Sequence, residues 1–181
     1  MDFSLTVDQE LLIESIQEFA ERYFDEDTVN AMYENHGIPD EIGEAYRDAG
    51  FAFMGLPEEC GGIPCDKLTL GLMTETLYHR TGCMTPFMTA MLATADVAEF
   101  GTPEQIEKYV KPYIAGGAPL ALGISEPSTG SDVAGMQTSY AWDGDTAVIN
   151  GGKHYTTCGM EAPAIIVIAK DPTVDNVHRG A

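Results

Sequence analysis

Residues 123–136 read GISEPSTGSDVAGM, a polar segment placed between two apolar runs. Glycine and proline interrupt regular secondary structure, and small hydroxyl residues beside glycine leave backbone N–H groups free to face a ligand. Clusters of this composition are usually solvated loops. The segment therefore predicts a loop, and its residues alone leave open whether that loop binds a ligand.

The chain before this loop has the periodicity of helices. Segment 7–23 carries apolar residues at helical spacing, Val7 and Leu11 among them, after a capping box of Thr6 and Gln9. Further helices are predicted over 39–49, 67–77, 87–100 and 103–110, the last opened by a second capping box with proline at its first position. We therefore predict an all-α bundle up to residue 117.

The chain around and after the loop has the periodicity of strands. Short apolar or alternating runs occupy 119–125, 137–142, 147–149 and 163–169, and Asp143-Gly144 is a hairpin-turn dipeptide. The change of period marks a domain boundary near residues 116–117. We expect an α+β chain, with a helical domain over 1–117 and an incomplete antiparallel β-domain over 118–181, because so few strands leave an open sheet edge.

The composition excludes several classes of function. The 181 residues carry a formal net charge of −20 and only 9 Lys and Arg, which is unsuitable for a nucleic-acid surface. No apolar run is long enough to span a membrane, and the N-terminal residues lack the features of a targeting peptide. The cysteines form no CxxC pair, so we predict free thiols at Cys60, Cys65, Cys83 and Cys158 and a cytoplasmic location.

Three other arrangements of reactive residues have simpler interpretations. His154 with Ser131 and Asp132 has the composition of a hydrolase triad, but the chain lacks a G-x-S-x-G elbow. The acidic residues at 143 and 145 resemble the start of a calcium loop whose twelfth position is not glutamate, and we predict a hairpin turn without a metal. The glutamates at 58–59 are more typical of a solvated turn than of acid–base catalysis.

The loop and the order of the elements together resemble the acyl-CoA dehydrogenase family. The family's flavin-binding signature is a hydrophobic strand, then Thr or Ser with Glu-Pro, a small turn and Gly-Ser-Asp, and residues 122–132 match it. Further segments match in the family's order: LPEECGG at 56–62, GTPEQIEKYV at 101–110 and INGGKHYTTCG at 149–159. The departures are Cys60, where the family usually has an aromatic residue, Ser128-Thr129, which replaces a smaller pair, and Tyr155, where many relatives carry Trp or Phe.

The resemblance implies that FAD is the cofactor. The residues that it places beside the flavin or its phosphates are Leu122, Ile124, Ser125, Gly130, Ser131, Tyr155, Thr156 and Thr157. It also places Ser131 beside the acyl-CoA substrate. From the residues alone, Tyr155 is as compatible with packing on a core as with stacking on a flavin ring.

The resemblance further implies an oxidoreductase that dehydrogenates an acyl-CoA thioester between its α and β carbons, or that reduces an enoyl-CoA. Electron-transfer flavoprotein is the implied partner, and a homodimer or homotetramer is the implied assembly. The family takes its catalytic base from a C-terminal helical domain, so we expect no catalytic residue within residues 1–181. Residues 1–12 and 163–171 resemble the crotonobetainyl-CoA reductase branch in particular.

A second interpretation belongs to another class of protein. In it the chain is a non-catalytic truncated fragment or an interaction module that retains only the helical bundle. It follows from the expectation that the β-domain is incomplete, because an unfinished sheet exposes an edge that can pair with another chain.

Overall fold

The structure, a computed structural model, describes residues 4–35, 37–82 and 87–174. The helices are α1 (Val7–Tyr23), α2 (Glu26–Asn35), α3 (Asp40–Asp48), α4 (Lys67–Thr81), α5 (Phe87–Phe100), α6 (Pro103–Gln105) and α7 (Lys111–Ile114), with a π-helical turn at Ile106–Val110. Three 3₁₀ turns lie at Phe51–Phe53, Glu58–Cys60 and Val133–Gly135. The strands are β1 (Ala121–Gly123), β2 (Ser139–Asp143), β3 (Thr146–Asn150) and β4 (Ile165–Val167).

The chain divides into two compact units. The first comprises Met1–Met88 and Val97–Gly117, and the second comprises Thr89–Asp96 and Ala118–Ala181. The middle of α5 thus belongs with the strands. Within this unit the buried Thr94 hydroxyl accepts a hydrogen bond from the Leu120 backbone N–H, immediately before β1, at 3.0 Å.

Helix α1 begins where the sequence predicts. The Thr6 hydroxyl accepts from the Gln9 N–H and the Gln9 side chain accepts from the Thr6 N–H, which confirms the capping box. The placement of Val7 and Leu11 on the apolar face is wrong, since they are 70% and 54% exposed. At about 3.6 residues per turn they lie opposite the buried face. Gln9 occupies that face, and its Nε2 donates to Thr69 Oγ1 of α4 at 3.1 Å.

Helix α2 is absent from the sequence-based prediction. Its only buried residue is Met32, and its apolar residues at helical spacing are few, namely Val29, Met32 and Tyr33. Its start also carries a signal, because the Asp25 carboxylate accepts a hydrogen bond of 2.8 Å from the Thr28 N–H, the geometry of an N-cap. The sequence-based prediction overlooked both signals.

Aromatic rings form the centre of the first unit. Phe19, Tyr46 and Phe51 contact one another with ring centroids 5.5, 5.6 and 5.8 Å apart. Gly50, predicted to follow the end of α3, does so with a φ of +81°, a left-handed conformation that glycine adopts without strain. This turn carries Phe51 into the aromatic cluster.

The strands of the second unit form two pairs. Strands β1 and β4 are parallel, with Leu122 opposite Ile166, and β2 and β3 form an antiparallel hairpin. The α+β class is confirmed, and the antiparallel description applies to the hairpin. The sequence analysis did not predict the parallel β1–β4 pair. Parallel strands need a connection of about a dozen residues or more, and local periodicity carries no information about such distant pairing.

The β2–β3 hairpin is mostly exposed. Asp143 pairs with Thr146 across a two-residue turn that contains Gly144 at a φ of +60°, which confirms the predicted hairpin turn. All residues of β3 are exposed, and Trp142 of β2 is 67% exposed. The predicted alternation of buried and exposed residues is therefore not observed here.

The described residues include most of the cysteines and allow a search for membrane-spanning helices and for metal-binding groups. Cys60, Cys65 and Cys158 are free thiols, as predicted, whereas Cys83 lies outside the described residues. Within those ranges no helix is long and apolar enough to cross a membrane. Nor do three or more His, Cys, Asp or Glu side chains of the described residues form a group that could hold a metal ion.

We expect Tyr113→Phe to lower the free energy of unfolding by about 1–2 kcal/mol. The buried Tyr113 hydroxyl donates a 2.7 Å hydrogen bond to the carbonyl of Ala52, and its removal leaves that carbonyl unpaired. Tyr33→Phe is the control, because Tyr33 is 58% exposed. Denaturant unfolding measures both variants, and equal effects would contradict a role for this hydrogen bond.

Candidate functional site

The loop at residues 123–136 has a defined backbone. The Glu126 N–H donates to the Thr129 carbonyl at 2.9 Å, and the Thr129 N–H donates to the Glu126 carbonyl at 3.2 Å, which makes a tight turn. A 3₁₀ turn follows at Val133–Gly135, and the buried Met136 ends the loop. Hydrogen bonds within the segment therefore fix part of its backbone, which distinguishes it from a loop that is hydrogen-bonded to solvent alone.

The Glu126 carboxylate lies inside this loop, with its side chain only 3% exposed. Its Oε1 accepts hydrogen bonds from the Thr138 N–H at 2.8 Å and Lys153 Nζ at 2.9 Å, and its Oε2 accepts from the Gln137 N–H at 2.6 Å. Lys153 Nζ also donates to the Ile124 carbonyl at 2.8 Å. One ion pair thus connects both ends of the loop to the segment that contains Lys153.

These contacts favour the ionised form of Glu126. The Thr138 hydroxyl, the Gln137 N–H and the Lys153 ammonium outweigh burial and lower the pKa of Glu126 to about 2. The Thr138 hydroxyl is the largest cause, and the backbone N–H groups of Gln137 and Thr138 act in the same direction. A carboxylate held in this state is a poor proton acceptor.

The segment after Lys153 is held against the same loop. The His154 N–H donates to the Ser125 carbonyl at 2.8 Å. The next residue, Tyr155, has a left-handed φ of +57° and is 91% exposed, with its ring centroid 5.4 Å from that of His154. Non-glycine residues in this conformation are uncommon and cluster at functional sites. The structure thus brings Ile124 and Ser125 next to the segment that presents Tyr155.

The other predicted cofactor residues differ in exposure. Leu122 is half-buried in β1, and Gly130 and Ser131 are exposed after the tight turn. Thr156 and Thr157 are half-buried, in a turn where the Gly159 N–H donates to the Thr156 carbonyl at 3.1 Å. Among the described residues, hydrogen bonds connect the first part of the loop with residues 153–154 and do not connect Ser131 with residues 155–157.

Lys153, like Glu126, is a residue of this site that the sequence-based prediction of cofactor residues omits. It lies 27 positions from Glu126, and no helical or strand period relates residues at that distance. The available signal was a lysine directly after Gly151-Gly152. Gly151 has a φ of +150°, and a Cβ atom there would lie 2.6 Å from the Thr138 Cα. The glycine allows this segment to approach the loop closely enough for the ion pair to form.

One cleft of the described residues lies away from this loop. It has a volume of about 1280 Å³ and lies in the first unit, among α1, α3 and residues 50–69. Carboxylates outnumber basic groups on its walls, and none of the predicted cofactor residues lines it. An anionic cofactor would be repelled by such a surface. The 123–136 loop with residues 153–157 is therefore the better candidate site.

Two family models match the chain. The model of the acyl-CoA dehydrogenase N-terminal domain matches residues 6–117, and the model of the acyl-CoA dehydrogenase middle domain matches residues 121–181. The two matches together leave few residues of the chain unassigned.

Comparison with individual proteins points to the same family. The chain is 36% identical to the probable acyl-CoA dehydrogenase YdiO of Escherichia coli K12, over 95% of the chain and 45% of that protein. It is 30% identical to the caffeyl-CoA reductase-Etf complex subunit CarC of Acetobacterium woodii, over 85% of the chain and 41% of that protein. An FAD complex of PigA superposes with a TM-score of 0.80 at 25% identity, covering 94% of the chain and 45% of PigA. The chain spans less than half the length of these relatives.

We expect Gly151→Ala to lower the free energy of unfolding by about 1–3 kcal/mol, because alanine is strained at this φ and its Cβ meets Thr138. The matched control is Gly152→Ala, since a Cβ there has nothing within 4 Å. Chemical denaturation followed by a signal from the second unit compares the two. A control as destabilised as Gly151→Ala would show that the close approach to Thr138 is unimportant.

We expect the second unit to lose stability as the pH falls from about 4.5 toward 2. The folded pKa of Glu126, about 2, lies below its ordinary value, so its contribution is complete above the unfolded pKa of about 4.3 and is lost as the pH falls through the folded one. The measurement is unfolding against pH for the unsubstituted protein, Glu126→Gln and the exposed control Glu161→Gln. The pH dependence should flatten in Glu126→Gln only, and identical curves for all three would contradict the assignment.

Proposed function

Because this chain belongs to the acyl-CoA dehydrogenase family of oxidoreductases, we propose that it binds FAD through residues 122–131 and 155–157. In this proposal residues 1–117 are the helical N-terminal domain and residues 118–181 are part of the middle β-domain. The substrate is an acyl-CoA or enoyl-CoA thioester, and Ser131 contacts it.

The observation that carries the proposal is the attachment of residues 153–155 to the first part of the loop. Lys153 and His154 donate to the carbonyls of Ile124 and Ser125, both at 2.8 Å. This attaches the backbone of Ile124 and Ser125 to the segment that carries the exposed Tyr155. A flavin needs such a combination, with a flat apolar surface beside the ring system and hydrogen-bond donors around its edge and phosphates.

The exposed side of the loop also fits a large anionic group. Gly130 is exposed, and a Cβ atom there would have nothing within 4 Å, so a ligand can approach the backbone closely. Ser131 is exposed beside it and offers a hydroxyl. The net charge of −20 does not prevent this binding, because backbone N–H groups and hydroxyls hold phosphate without a cationic side chain.

The chemistry divides between the cofactor and the protein. Bound FAD supplies the hydride acceptor for the β-hydrogen of the thioester. Glu126 does not supply the base that takes the α-proton, because it is buried, ion-paired and has a pKa lowered to about 2. Glu58 and Glu59 are exposed residues of a 3₁₀ turn in the first unit. The family resemblance places the base in a C-terminal helical domain, and we propose on that ground that it lies outside residues 1–181.

The names of the relatives support the partner that we propose. One relative is a subunit of a caffeyl-CoA reductase-Etf complex. We propose electron-transfer flavoprotein as the electron partner of this protein as well, within a homodimer or homotetramer. Reduction of an enoyl-CoA, as in the crotonobetainyl-CoA reductase branch, is the direction that this relative's name favours.

We expect Gly130→Val to weaken FAD binding without unfolding the protein, because a Cβ atom there has no protein atom within 4 Å but lies where the ligand must approach. The full-length protein is titrated with FAD and followed by flavin absorbance. The control is Gly71→Val in α4, where a Cβ also has nothing within 4 Å. Native FAD affinity in Gly130→Val, or equal losses in both variants, would contradict the proposed site.

A further inference from the structure

We propose that Glu126 and Lys153 are positioning residues for the cofactor, a role that rests on the FAD site proposed above. Both side chains are buried, at 3% and 10% exposure, and the polar atoms of both are engaged with protein groups. They therefore act on the cofactor through the backbone segments that they hold.

Lys153 fixes the start of the loop. Its ammonium group donates both to the Ile124 carbonyl and to Glu126 Oε1, at 2.8 and 2.9 Å. The neighbouring His154 N–H donates to the Ser125 carbonyl. Because Tyr155 follows directly, the same attachment sets the spacing between the loop and the exposed ring. A shift of Lys153 would therefore displace both parts of the site together.

Glu126 fixes the end of the loop. Its carboxylate accepts from the N–H groups of Gln137 and Thr138, which lie just beyond Met136. Residues 127–136 are thus a span closed at both ends by one carboxylate. Gly130 and Ser131 lie within this span, so their positions before ligand binding are restricted. A preorganised loop loses less entropy when it binds, and its affinity is higher for that reason.

Charge balance supports the same role. Without Lys153, the Glu126 carboxylate would remain as an uncompensated buried anion under a loop that is to receive phosphate groups. An unpaired buried charge is strongly unfavourable, and its field opposes an anionic ligand. Loss of the lysine thus disturbs both the shape and the potential of the proposed site.

The test uses the full-length protein with Lys153→Met, Glu126→Gln and Lys153→Arg. The control is Lys111→Met, which removes an ion pair with Glu107 that has a similar N–O distance of 2.7 Å but side chains 51% and 70% exposed. FAD titration gives the affinity, and the visible absorption of bound flavin at saturation reports on its surroundings. Amide hydrogen exchange at Gln137, Thr138 and His154 is measured without FAD.

We expect Lys153→Met and Glu126→Gln to weaken FAD binding about tenfold or more, to speed exchange at these amides and to shift the flavin absorption. Lys153→Arg should recover part of the affinity because it keeps the charge and the donors, and Lys111→Met should match the unsubstituted protein. If Lys153→Met does not fold, the nearly isosteric Glu126→Gln variant tests the positioning role by itself.

Two results would overturn the role. Native FAD affinity and native flavin absorption in Glu126→Gln, with or without faster exchange, would show that the pair stabilises the fold only. Absence of FAD binding by the unsubstituted protein would overturn the proposed FAD site itself, and the cofactor role with it. The first result leaves the proposed function standing, so the two failures are distinguishable.

Discussion

A buried carboxylate needs compensation, and in this chain the compensation of Glu126 determines how the second unit is organised. Removing an ionised group from water is costly unless a partner charge and hydrogen-bond donors surround it. Lys153 and the N–H groups of Gln137 and Thr138 meet that requirement. They come from two separate parts of the sequence, so satisfying one carboxylate brings the loop, its end and the 151–155 segment together.

The same pair shows why burial matters more than distance for an ion pair. Lys111 and Glu107 lie 2.7 Å apart, closer than Lys153 and Glu126 at 2.9 Å, yet they are exposed neighbours on one helical run. Water and salt screen such a pair, and it contributes little. The buried pair is specific because a displaced partner would leave a charge without solvent or protein to compensate it. Removing one partner of such a pair is strongly destabilising, because it leaves a buried charge uncompensated.

Local signals in the sequence predict local structure well. The capping box at Thr6 and the glycine after α3 act within a few residues, and both are found where predicted. Failures occur where a longer-range partner decides. Val7 and Leu11 are apolar yet exposed, whereas the polar Gln9 is buried and bonds to Thr69 of α4. Helix α2 buries only Met32, so it contributes little apolar packing that a sequence pattern could reveal.

In the candidate site too, the sequence predicts local features and not long-range contacts. The residue types of the 123–136 loop indicate a ligand-binding turn, and the family resemblance suggests which ligand. Neither indicates that Lys153 joins Ile124 to Glu126, because the spacing of 27 positions has no local cause. The sequence does not predict the pairing of β1 with β4 for the same reason, since parallel strands meet only after a long connection. Long-range contacts become visible only when the chain is folded.

Trp142 is the single tryptophan of the chain, and it lies in the exposed hairpin of the second unit. Its indole fluorescence therefore monitors that unit, whereas the circular dichroism of the helices comes mainly from the first unit. The Tyr140 ring lies 6.2 Å away, close enough to pass its excitation to the indole. Any surface that covers the hairpin removes water from this side chain and moves its emission to shorter wavelength. The chain thus contains an intrinsic optical reporter that separates events in its two units without a label.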